Sequence, residues 1–67
     1  MANVELLREK IEQSGMSITF ISEKCGISRE TFYNRMEKPD FKASEIVSLT
    51  NVLRLSREDR DLIFFNQ

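Results

Sequence analysis

The segment from Ser17 to Lys38, SITFISEKCGISRETFYNRMEK, constrains this chain more than any other, because it reads as two short helices meeting at a tight turn. Ser17 is placed to cap the first helix, its hydroxyl accepting from amides two or three residues on. Ile18, Ile21 and Cys25 recur at helical spacing and give that helix one apolar stripe. Gly26 follows at once, where the chain must leave the helix and a left-handed backbone costs glycine little. Ile27 is expected to plug the corner, and Ser28 to cap a second helix running from Arg29 to about Glu37. On that helix Phe32 and Met36 share one face, pointing at the first helix, while Glu30, Asn34 and Glu37 lie roughly opposite and Arg29 sits at the exposed amino end. The second helix is therefore held by one edge and keeps an open polar face.

The flanking segments supply the core. Asn3 is a cap for a first helix whose buried face is Val4, Leu7 and Ile11, widened by Leu6, and Ser14-Gly15 ends it. Glu5, Arg8, Glu9 and Glu12 fall on its wet side. Lys38-Pro39-Asp40 breaks the chain after the paired helices, since the residue before proline is pushed out of the α region. Phe41 is expected to tuck back as a core plug. A fourth helix spans roughly Ala43 to Arg54, burying Ile46, Leu49 and Leu53 with Val52 beside them. SRED at Ser56 matches a capping box, with Asp59 reaching back, and opens a fifth helix from Arg57 to about Phe65. The expected fold is all-α, a bundle of about five short helices centred on Phe32, Met36, Ile21, Ile27, Ile11 and Leu49.

Composition narrows the functions such a bundle serves. Sixty-seven residues allow one small domain, spanning 1–67, with no room for a second. One cysteine and no histidine exclude an internal disulfide and argue against a zinc site; Cys25, at a core position, reads as an inert thiol. No apolar run approaches ~20 residues, so no membrane span is expected, and without a charged-then-apolar leader the chain is expected in the cytoplasm. An enzyme is not expected: there is no histidine base, no glycine-rich phosphate loop and no ligand cluster, and Ser17, Ser28 and Ser56 are explained as caps. No cofactor, metal or small-molecule ligand is expected either. The net charge is −1, but the window Ser17–Lys42 holds five basic residues (Lys24, Arg29, Arg35, Lys38, Lys42) against four acids (Glu23, Glu30, Glu37, Asp40).

Three positions in the paired helices carry a resemblance. Ser22 is a small residue four before Gly26, Ile27 is apolar directly after it, and Phe32 is apolar six after it. On these positions FISEKCGISRETFYNRM resembles the Cro/repressor-type helix-turn-helix proteins, especially small Cro-like proteins of phages and prophages in Gram-positive bacteria. The stretch FKASEIVSLTNVLRLSREDRDLIFF is similar to that family's closing helix pair, so the resemblance covers nearly the whole chain. Arg35 departs from it, standing where many members place an aliphatic residue, with Met36 filling in. The resemblance implies a lambda repressor-like DNA-binding domain and a transcriptional regulator whose second motif helix enters the major groove of an operator. Carried over by position, the base readers are Arg29, Glu30 and Asn34, with Tyr33 at the flank. Ser17, Thr19, Ser28 and Thr31 are placed to bond phosphates, and Lys38 and Lys42 to clamp them.

A second reading stays open beside this one. Near-neutral charge and the acids Glu30 and Glu37 on the outer face suit a helix-turn-helix that binds another protein, as an antirepressor or antitoxin does. Assembly bears on both readings. Leu62-Ile63-Phe64-Phe65 wraps around a helix, so two of these residues are expected to pack inward and the others to form an association patch. Two half-sites lie ~34 Å apart on DNA, and a homodimer, weak or completed only on DNA, is expected through Ile63 or Phe65.

Overall fold

Each helix in the computed structural model, which describes residues 2–65, begins where a side chain can satisfy its free amides. In α1 (Val4–Ser14) the Asn3 carboxamide oxygen accepts from the Leu6 N–H at 3.1 Å, and Gly15 ends the helix at φ +72°. Ser17 caps α2 (Ile18–Lys24) through the Phe20 N–H at 3.1 Å, and Ser28 caps α3 (Arg29–Glu37) through the Thr31 N–H at 3.0 Å. Between them Gly26 adopts φ +72°, the left-handed conformation the turn requires. The Ile27 N–H donates back to the Ser22 carbonyl at 3.1 Å, closing the corner.

The later helices depart from expectation in two places. α4 (Ala43–Val52) stops two residues short of Arg54, which takes φ +52° while the Leu55 N–H donates to the Thr50 carbonyl at 3.0 Å. That bond closes a left-handed helix stop at a position where glycine would be cheaper, so nothing in the composition marks it. At α5 (Arg57–Phe64) Ser56 accepts from the Asp59 N–H at 3.0 Å, but Asp59 does not reach back; its carboxylate pairs with Lys10 of α1 at 2.9 Å. A cation on a neighbouring helix outcompetes the cap amide, and the bond ties α5 to α1.

The packing follows from these placements. α2 lies against both α3 and α4, while α1 lies against α5. The Asn3 N–H donates to the Ile63 carbonyl, fastening the start of α1 to the last helix. The buried core is Leu7, Ile11, Ile21, Phe32, Met36, Leu49, Ile63 and Phe64. Ile27, expected at its centre, is only half-buried and packs against it from the corner. Phe41 is half-buried and stands edge-on between Phe32 (centroids 6.4 Å) and Phe64 (5.5 Å), bridging α3 and α5 as a plug. No helix among the described residues is long and apolar enough to cross a membrane.

Candidate functional site

The outer side of α3 is the candidate, because its anchoring is narrow. Phe32 and Met36 are its only buried residues; Arg29, Glu30, Tyr33, Asn34 and Glu37 are all exposed. With successive residues ~100° apart around the axis, Asn34 projects directly away from the Phe32–Met36 line. Within this face the structure brings some residues together. The Arg29 guanidinium lies over the Tyr33 ring, 5.6 Å from its centroid, so two neighbouring exposed side chains support one another. The Ser28 and Thr31 hydroxyls are hydrogen-bonded to one another at 2.8 Å, which places both at the amino end of α3.

Other expected contact residues are further apart. Ser17 and Thr19 are exposed at the amino end of α2, and no side-chain bond among the described residues joins them to α3. Lys38 is exposed at the carboxyl end of α3, and Lys42 is exposed at the N-cap of α4. Ile63 is a correction: its side chain is completely buried in the core, so it offers nothing to a second copy. The residues actually presented on α5 and its end are Leu62 and Phe65, 51% and 52% exposed.

One feature of the site went unread in the sequence. Arg35, on the flank of α3, forms a forked ion pair with Glu45 of α4, Nε to Oε1 at 3.0 Å and Nη2 to Oε2 at 3.2 Å. Glu45 is 3% exposed, and the same Oε1 accepts from the Lys42 N–H at 3.0 Å, which caps α4. The available signal was an arginine at a position of core register with an acid in the first turn of the next helix. Burial pushes the Glu45 carboxyl upward, but hydrogen bonds from Arg35 and the Lys42 amide outweigh it and hold the group below its ordinary value near 4.5. Cys25, half-buried at the end of α2, is raised by burial and then by Glu45, so its thiol stays protonated at neutral pH.

The depressed Glu45 carboxyl makes a signed pH prediction. The folded state holds the ionised form more tightly than the unfolded chain does, so its stabilisation is complete above about pH 4.5. It is lost as pH falls through the lower folded-state value. The melting-temperature gap between wild type and Glu45→Gln is therefore expected to be constant from neutral pH to about pH 5 and to close below it. A gap that widened on acidification would contradict the assignment.

Chemically, the α3 face offers a guanidinium fork, a carboxamide with both donors and an acceptor, a carboxylate and a phenol, all in solvent. That set can both donate and accept hydrogen bonds. No family model, no curated protein and no solved structure matches the chain.

Proposed function

We propose that the protein is a sequence-specific double-stranded DNA-binding regulator of the Cro/repressor type, acting in the cytoplasm, with α3 entering the major groove. The observation that carries the proposal is the single-edge anchoring of α3, which leaves Arg29, Glu30, Tyr33 and Asn34 in solvent directly after a capped turn. Arg29 suits the bidentate pair to guanine, Asn34 the pair to adenine, and Glu30 accepts from cytosine N4. The stack on Tyr33 restrains Arg29 before binding, so less side-chain freedom is lost on contact. Ser17, Thr19, Ser28 and Thr31 supply hydroxyls for phosphates, and Lys38 and Lys42 supply charge. With a net charge of −1, such local cations must carry the attraction to the backbone. A second copy engages the other half-site through the exposed Leu62–Phe65 end.

The test uses an operator selected from a pool of random duplexes. Asn34→Ala is expected to lose ~1–3 kcal/mol there and to relax preference at one base pair, with Arg29→Ala acting at a neighbouring pair. Lys42→Ala should weaken all duplexes alike and lower the salt slope by about one. Glu30→Gln separates two roles: a cytosine reader loses operator affinity alone, whereas an acid that merely faces phosphates tightens binding to every duplex. If Asn34→Ala and Arg29→Ala leave operator preference untouched in folded protein, the major-groove reading fails. The exposed apolar side chains Val47, Leu62 and Phe65 then favour the protein-interaction reading.

A further inference from the structure

The contacts on the two flanks of α3 bear directly on its roll about its own axis. Its buried line is two residues, Phe32 and Met36, four apart and nearly parallel to that axis. On the Tyr33 flank packing is open: a groove of about 430 Å³ runs between Phe32, Tyr33 and Met36 of α3 and Arg8, Ile11 and Ile18. α3 packs on α2 and does not approach α4 as closely as α2 does. On the other flank, about a quarter turn from the buried line, stands Arg35 with its fork on Glu45.

The pH-dependent stability that Glu45 contributes does not by itself explain why this contact is ionic rather than apolar. Glu45 is buried and Arg35 half-buried, so withdrawing the pair from water cancels part of its attraction, and apolar side chains in such places are often no less stable. What a fork supplies beyond methyl groups is direction, since guanidinium and carboxylate must meet edge to edge. With side chains at a radius of ~5–6 Å, a roll of ~20° moves the outer atoms of α3 by ~2 Å. Hydrogen bonds tolerate a spread of only ~0.5 Å. Glu45 Oε1 also holds the Lys42 amide, so the fork references α3 to the amino end of α4 where Lys42 sits.

We infer that the Arg35–Glu45 fork is a positioning device that locks the roll of α3 relative to the Lys42 end of α4, so that base reading and phosphate clamping act in one register. The inference rests on the DNA-reading role proposed for α3, and its test separates the two. Arg35→Met/Glu45→Gln removes the fork while the new amide oxygen still accepts from the Lys42 N–H. Arg35→Lys keeps the charge and loses the fork, and serves if the first variant is poorly folded.

Residual dipolar couplings of the free protein report the roll without DNA. In wild type the Cα–Hα bonds of α3 and α4, which unlike the N–H bonds project across the helix axis, should fit one alignment tensor; in both variants the α3 couplings should shrink or depart from it. Couplings that stay unchanged in both variants overturn the inference. The DNA arm measures the cost of Asn34→Ala at the selected operator. About tenfold is expected in wild type, falling to less than about twofold in either fork-free background; a purely stabilising role for Arg35 would leave that cost unaltered. Where Asn34→Ala does cost about tenfold in wild type, the same cost in the fork-free backgrounds overturns the positioning role even if the couplings change. If Asn34→Ala costs nothing in wild type while the α3 couplings collapse without the fork, the DNA reading fails and the roll lock stands.

Discussion

Phe32→Ala is expected to leave the chain largely unfolded at ambient temperature. Phe32 is completely buried and is one of two buried residues on α3, so its ring supplies much of what holds that helix to the bundle. Emptying a buried aromatic site costs ~3–5 kcal/mol, part transfer and part cavity. In a chain this short a single hydrophobic core rarely supplies more than ~3–5 kcal/mol of net stability, so the loss consumes most of it. The ring also stands edge-on to Phe41, which itself meets Phe64; the truncation therefore loosens the plug between α3 and α5. Phe20→Ala is the matched control. That ring is 42% exposed and its charged neighbour Lys24 lies over it, 5.3 Å from the centroid, so little cohesion is lost on truncation. Thermal melting followed by circular dichroism reads both: Phe20→Ala within a few degrees of wild type, Phe32→Ala without a folded baseline. A Phe32→Ala protein melting beside wild type would remove Phe32 from the core.

Why Phe32 was identifiable from sequence, and Ile63 was not, is a matter of how local the deciding interaction is. Helix starts are local: Asn3, Ser17, Ser28 and Ser56 each accept from an amide three residues on, and such a bond forms with little help from the rest of the fold. The outer face of α3 was legible for a similar reason, since placing Phe32 and Met36 inward places Asn34 outward by helical geometry alone. Arg35 was a different case. Its partner lies ten residues on, across the Pro39 break, and only the packing of α4 brings Glu45 within a fork's reach. Asp59 shows the same limit, because a cap amide and Lys10 compete for it and the second exists only once α1 lies on α5. The end of α4 was misplaced because its left-handed stop is occupied by Arg54 rather than glycine. Sequence reading thus recovered what one helix decides by itself and missed what two helices decide together.

The LIFF run is the sharpest instance, and opposite outcomes are expected within it. Ile63→Asp should abolish folding, whereas Phe65→Asp should leave it nearly intact. Four consecutive apolar residues cover every side of a helix, so periodicity cannot say which ones face inward. The choice is made by α1: the Asn3 amide bonds the Ile63 carbonyl, and with α1 against α5 the Ile63 side chain is completely buried. A carboxylate there would lie inside the hydrophobic cluster, and burying an unpaired charge costs several kcal/mol beyond the ~2–5 kcal/mol of the lost aliphatic contacts. Phe65 is 52% exposed beyond the end of α5, on the lip of an apolar groove of about 380 Å³ that Ile46 and Val47 also line. Its replacement removes apolar surface from solvent rather than from the core, so melting should shift by only a few degrees. Association is where Phe65→Asp should act. Sedimentation equilibrium should show weaker self-association, and binding to an operator with two half-sites should lose cooperativity while affinity for a single half-site is kept. Loss of folding in Phe65→Asp would assign this residue to the core. Unchanged association and cooperativity would move the contact between copies elsewhere on the molecule, or leave the protein binding as a monomer.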